Sequence, residues 1–349
     1  MNLAKFLQSG AIIALSNGSL LIGEGKRTWI DVNARQEGPV FYFPDFFLED
    51  EYQAFTHESV EELTREQLMK ELTRIPHPPV QPISWKESVK DTFEEQFTEL
   101  QALLADEKLK KGVPIAFDEG EGVMSQARIL STLIAALENS KKHPLYLYGY
   151  WDRESGMIGL TPELLFDVDH ANKTAKTVAC AGTVSDEEQI DQKLLNEHQF
   201  VVKGIAETLY HIGTVVTGKR QLVTFPHLCH LVTPIKLQAR SMPSIMKLVE
   251  ALHPTPALGA YPKNEGEEWL RRYQTTCNRQ RFGAPAGVLH YRNKSSCYVA
   301  IRNVQWNNGT VRVGAGCGVV PQSNLEDEWQ ELQLKLNATK SQLGLVAKT

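Results

Sequence analysis

The sequence predicts an α+β fold, with large mixed or antiparallel sheets and helices on the outside. Three observations carry this. Short apolar runs bounded by turn residues follow one another with no helix between them, first over residues 1–56 and again beyond Val113. Apolar residues recur at helical spacing in a few longer segments, among them Ile190 to Leu209 and Leu325 to Leu343. Strand and helix patterns do not alternate regularly, which argues against a Rossmann-type parallel sheet.

From the amino terminus, Ala11-Ile-Ile-Ala-Leu, Ser19-Leu-Leu-Ile, Trp29-Ile-Asp-Val and Val40-Phe-Tyr-Phe read as strands of a meander. Residues 57–111 turn charged and helical, broken by Ile75-Pro-His-Pro-Pro-Val-Gln-Pro. That proline cluster predicts a boundary between an amino-terminal strand-rich lobe, 1–80, and a region 81–349 of interleaved lobes in one large domain. Leu145-Tyr-Leu-Tyr-Gly-Tyr, Met157-Ile-Gly-Leu, Thr177-Val-Ala-Cys, Cys297 to Trp306 and Val311-Arg-Val read as further strands. Ile190 to Leu209, Ile245 to Leu252 and Leu325 to Leu343 read as helices.

The 349 residues suffice for a large core. A net charge of −5 with no basic run gives no support for a nucleic-acid partner. No apolar run approaches the roughly 20 residues that span a bilayer, so no membrane partner is expected. Five scattered cysteines without C-x-x-C spacing fit a reduced, cytoplasmic chain without zinc. A monomer is expected.

On a helical repeat Glu328, Glu331 and Lys335 fall within about 60° on one face, bordering the leucine stripe. Two such carboxylates repel unless a cation lies between them, and a hard divalent ion bound by oxygens would serve. A surface helix with a Glu331–Lys335 pair fits the same pattern. Glu197 lies beside the stripe Leu194, Val201, Ile205, Leu209, so it needs a partner, either a shared metal or a buried Lys or Arg. Glu163, directly after Thr161-Pro, stands between two elements, where catalytic groups are commonly held; a helix-start acid is the plainer account. Arg302 reads as a mid-strand fork for a carboxylate or as half of a cross-strand ion pair. Gly314, Gly316 and Gly318 would let backbone N–H groups approach a ligand, or mark a bulge.

Together, Thr161-Pro-Glu-Leu-Leu, Ala181-Gly-Thr, Asn196-Glu-His-Gln-Phe-Val-Val, Leu228-Cys-His-Leu-Val-Thr-Pro, His253-Pro-Thr-Pro-Ala, Arg279 to Gly287, Ile301-Arg, Gly314-Ala-Gly and Glu328-Trp-Gln-Glu resemble the chorismate-utilising enzymes, in that family's order. The resemblance runs from about residue 100 to 345. It implies the fold of anthranilate synthase component I and, within the family, an activity nearest to isochorismate synthase. It also implies Mg²⁺ held by Glu197 and Glu331 with Glu328 close by, and chorismate as substrate. Arg302, Lys335 and the Gly314–Gly316 backbone would receive the enolpyruvyl carboxylate. Glu163 would be the general acid at the C4 hydroxyl. His230 and Thr233 would form the wall beside the ring, and Ala181, Gly182 and Thr183 the loop near its carboxylate.

Water-using members carry a lysine base where ammonia-using members carry glutamine. In Leu109-Lys-Lys-Gly-Val the lysine placed there is Lys111; a solvated helix end formed by Lys108, Lys110 and Lys111 is the plainer reading. Ala181 stands where aminodeoxychorismate synthases have a nucleophilic lysine. Salicylate synthase, an ammonia-dependent synthase served by a separate glutaminase subunit, and a non-catalytic chorismate-binding protein are the alternatives. The chain departs from the family pattern at Val184-Ser-Asp-Glu-Glu, at Arg279-Gln280 and around Phe117-Asp-Glu-Gly.

Overall fold

Apolar runs close in sequence pair with one another here, and then with strands hundreds of residues away. A computed structural model describes residues 1–33, 38–76, 78–141, 143–184, 190–225 and 228–346, with the backbone alone at 183, 184, 225 and 228. Helix α1 (Leu3–Gln8) leads into β1 (Gly10–Ala14), β2 (Leu20–Ile30), β3 (Val40–Tyr42) and β4 (Ala54–Leu63), followed by α2 (Arg65–Leu72). Next come β5 (Ser84–Lys86), α3 (Lys90–Ala105), β6 (Lys111–Gly112), β7 (Ile115–Glu121) and α4 (Gln126–Ser140). The run β8 (Tyr146–Trp151), β9 (Ser155–Thr161), β10 (Leu164–Asp169) and β11 (Thr174–Val184) precedes α5 (Gln192–Tyr210). Then follow β12 (Gly213–Thr217), β13 (Gln221–Phe225), β14 (Leu228–Ala239), α6 (Ile245–Leu252), β15 (Ala260–Tyr261) and α7 (Lys263–Arg272). The last elements are β16 (Pro285–Tyr291), β17 (Lys294–Val299), β18 (Asn303–Asn307), β19 (Thr310–Gly316) and α8 (Leu325–Gln342).

Among the described residues, seventeen strands form one continuous sheet, and β6 pairs with β15 apart from it. Every pairing is antiparallel. The amino-terminal strands join this sheet directly, β1 beside β8 and β3 beside β16. No described helix is long and apolar enough to cross a membrane.

Two expectations in the amino-terminal part need correction, and one beyond it: the run from Cys297 to Trp306 is two strands, β17 and β18, parted at 300–302. The Ser19 and Trp29 runs are one eleven-residue strand, β2, carried through Gly25 and a bulge between Glu24 and Arg27. Residues 57–63 are strand, not helix: β4 lies along β2, and its inward Phe55, His57 and Leu63 are buried while Glu58 and Ser59 face water. Cross-strand packing outweighs the helical leaning of that glutamate-rich stretch.

Two large cores flank the sheet, beside a smaller one around Phe41, Phe55 and Tyr148. One gathers Leu68, Leu133, Leu332 and Leu336 beneath α2, α4 and α8; the other gathers Val201, Ile205, Leu209 and Leu248 beneath α5 and α6. Each such fully buried side chain stabilises the fold by about 1.5–3 kcal/mol. α5 packs on β11 and α8 on β19, so the polar edges of both helices come to one cleft.

Candidate active site

α8 starts at Asn324, whose side chain accepts from the N–H groups of Glu326 and Asp327 at 2.9 and 3.3 Å. With Leu332 and Leu336 fixed in the core, the neighbouring face presents Glu328, Glu331 and Lys335. Lys335 Nζ lies 2.6 Å from Glu331 Oε1 and donates to the Gly316 carbonyl at 2.9 Å. Glu328 is 1% exposed and is bound by Lys193, from the first turn of α5. α5 is capped by Asp191, which accepts from the Leu194 N–H at 2.8 Å, and it carries Glu197 to the same place. Lys111 Nζ stands 3.5 Å from Glu197 Oε1 and donates to the Pro256 carbonyl at 2.8 Å.

Lys111 is therefore no part of a solvated helix end. α3 stops at Ala105, and while the Lys108 and Lys110 side chains are 64% and 42% exposed, that of Lys111 is 1% exposed. The two-residue ladder to Ala260 and Tyr261 turns it inward.

Across the cleft, Glu163 sits in the short link between β9 and β10, with its N–H on Thr161 Oγ1 at 3.2 Å. No helix starts there. Its carboxyl accepts from the Thr255 hydroxyl at 3.3 Å. Arg302 is also off the strand: β17 ends at Val299, and Arg302 adopts φ +55°, the left-handed region that costs a non-glycine residue on the order of 1 kcal/mol. The turn is clamped by Asn303 Nδ2 on the Ala300 carbonyl at 2.6 Å and Tyr148 Oη on the Ile301 carbonyl at 2.8 Å. Arg302 Nη2 meets His230 Nε2 at 3.4 Å, and its buried Nη1 has no hydrogen-bond partner among the described residues.

The cleft encloses about 580 Å³, open solvent included, and Glu163, Ala181, Gly182, Glu197, His230, Arg302, Gly314, Gly316, Gly318 and Lys335 line it. Lys111 and Glu331 adjoin it through their ion partners. Thr233 stands behind the wall, its hydroxyl 2.8 Å from His198 Nε2. The side chain of Thr183 lies outside the described residues. Gly182, at φ +79°, forms the bulge that turns β11 at the cleft.

Burial dominates the electrostatics. It pushes Glu163 up to about 8, against a hydrogen bond from Thr255 and the more distant Lys111 and Lys335. It pulls Lys111 down, with Glu197 opposing, and drives Glu197 up, with Lys111 opposing and Glu331 and Glu328 adding. Arg302 falls to about 10 by burial and stays charged at neutral pH. His230 is lowered by burial and by Arg302, so it is neutral.

The donor set suits a hard divalent cation: Glu197, Glu328 and Glu331 are all oxygen donors, and Glu331 raises the proton affinity of both Glu197 and Glu328. Among the described residues no three His, Cys, Asp or Glu side chains stand grouped for a metal; each of these acids is turned onto a lysine. Sequence reasoning did not find Lys193, Thr255 or the Pro256 carbonyl. His253-Pro-Thr-Pro stood out as a motif, but the residues it holds lie 92 and 145 positions away.

The family described as "Chorismate binding enzyme" matches residues 45–344. Curated relatives include the salicylate biosynthesis isochorismate synthase of Pseudomonas aeruginosa, 30% identical over 203 residues, 54% of this chain and 42% of the relative. Isochorismate synthase MenF of Bacillus subtilis is 30% identical over 238 residues, 64% of this chain and 49% of the relative. The matches thus span about half the length of these relatives. Among solved structures, DhbC from Bacillus anthracis superposes with a TM-score of 0.77 at 21% identity, covering 97% of both chains, a likeness of fold.

Proposed function

We propose, from the premise that this chain belongs to the chorismate binding enzyme family, that it is an isochorismate synthase. It would add water at C2 of chorismate and expel the C4 hydroxyl. The observation that carries this reading is a single loop that grips both groups the reaction needs: Thr255 holds Glu163, and the adjoining Pro256 carbonyl holds Lys111. A lysine at position 111 fits water as the nucleophile, since ammonia-using members resemble this chain with glutamine there.

Lys111, drawn toward its neutral form by burial, accepts a proton from water as the oxygen bonds to C2. The ring double bonds shift, and the C4–O bond breaks. Glu163, protonated at neutral pH, gives its proton to the departing oxygen, which leaves as water. Substrate and product are isomers, so protons and atoms balance. Arg302 offers Nη1, which has no partner among the described residues, to a substrate carboxylate, with Lys335 adding charge and Gly314 and Gly316 leaving room at the wall. Mg²⁺ held by Glu197, Glu328 and Glu331 would supply positive charge for the ring carboxylate.

The test is incubation with chorismate and Mg²⁺, with and without ammonia, and chromatography of the products. Isochorismate formed without ammonia, and lost on adding a chelator, supports the reading. An aminated product formed only with ammonia would remove Lys111 from its role.

A further inference from the structure

The three acid–lysine pairs on the helix side of the cleft are not equivalent. Lys111 is anchored to the Pro256 carbonyl at 2.8 Å and Lys335 to the Gly316 carbonyl at 2.9 Å. Lys193 gives its hydrogen bond to Glu328, and among the described residues no main-chain carbonyl holds it. Its side chain is 25% exposed, against 1% for Lys111 and 13% for Lys335. An ammonium on a flexible four-carbon stem, with open water beside it, can leave its partner without breaking the fold. Glu328 is buried, so it cannot stand bare when that ammonium goes. Glu328 and Lys193 neutralise each other, so a dication drawn to Glu328 meets the Lys193 ammonium as a like charge, and the two repel unless the lysine departs.

We propose that Lys193 is a removable cation on Glu328, neutralising the acid while no divalent ion is bound and swinging into water when Mg²⁺ takes its place. The inference rests on the reading of Glu197, Glu328 and Glu331 as the metal-holding acids. Lys193 is a positioning residue: it touches no reacting atom and sets the metal's affinity by competing for one of its ligands.

Calorimetric titration of the full chain with Mg²⁺, without substrate, reads the competition directly. Lys193→Met should bind Mg²⁺ about tenfold more tightly than the wild type, and Lys193→Arg about equally. Unchanged or weaker binding by Lys193→Met overturns the competition alone. No Mg²⁺ binding by either form overturns the metal reading and this inference with it. Should Lys193→Met fail to fold, the wild type suffices: acylation of Lys193 by a water-soluble reagent, followed by mass spectrometry, should speed up several-fold on adding Mg²⁺. Slower or unchanged labelling overturns the proposal.

Discussion

The two walls of the cleft carry glutamates held in opposite ways: Glu163, Glu197 and Glu328 are buried almost alike, while the Glu331 side chain is 23% exposed. On the sheet wall, Glu163 touches a hydroxyl, and the nearest ammonium groups act on it only from a distance. On the helix wall, Glu197, Glu328 and Glu331 each have a lysine in contact. Burial raises Glu163, Glu197 and Glu328 alike; the Thr255 hydroxyl opposes it first at Glu163, and the Lys111 and Lys193 ammonium groups oppose it at Glu197 and Glu328. One residue type thus meets a hydroxyl on one wall and ammonium groups on the other, separated by what folds against each.

The largest effect expected from this contrast is at Glu163. Replacing it with Gln should lower kcat by roughly 10²–10⁴-fold while leaving substrate affinity near the wild-type value, read from steady-state rates. Wild-type turnover should fade as pH rises through about 8, where the proton is lost. The same group bears on stability. Its folded proton affinity exceeds the unfolded value near 4.5, so the unfolded chain binds fewer protons between those limits. Stability therefore drains away from pH 4.5 up to about 8, by up to about 5 kcal/mol. Glu163→Gln should lack that decline in denaturant titrations at pH 6 and pH 9; an identical decline in both forms would sink the assignment.

Lys111→Met attacks the other wall. It strands Glu197 in the interior, and should destabilise the chain by about 3–5 kcal/mol, with most of the loss restored by adding Glu197→Leu. Equal loss in single and double variants would show that the pair does not matter as a pair. Gly318→Ala strikes between the two, since a Cβ there would overlap Glu197 Oε1 and lie 2.7 Å from Lys111 Nζ. A cost of about 1–3 kcal/mol is expected, with thermal unfolding as the readout. The smallest change is Thr255→Val. Thr255 lowers the proton affinity of Glu163, so its loss should move the alkaline limb of the rate profile upward. A limb that shifts downward would mean the hydroxyl is not the partner that matters.

Legibility in the sequence varied with how local the cause is. The α8 face with Glu328, Glu331 and Lys335 was readable because the helical period sets it, and Glu163 was readable because Thr161-Pro separates two strands. Arg302 was misplaced: alternation continues through Cys297 to Trp306, and nothing nearby announces the left-handed turn that Tyr148 and Asn303 clamp. The β4 segment was misassigned because its glutamates suit a helix until β2 is alongside it.

Residue order alone determined that acids would line the edges of two amphipathic helices and that antiparallel strands would dominate, since periods of 3.6 and 2 are written in neighbouring residues. Tertiary structure decided which charge meets which. Lys111 reaches Glu197 across 86 positions and Lys193 reaches Glu328 across 135. Such pairings arise only when separate elements dock, and the same docking excludes the water that would otherwise screen them.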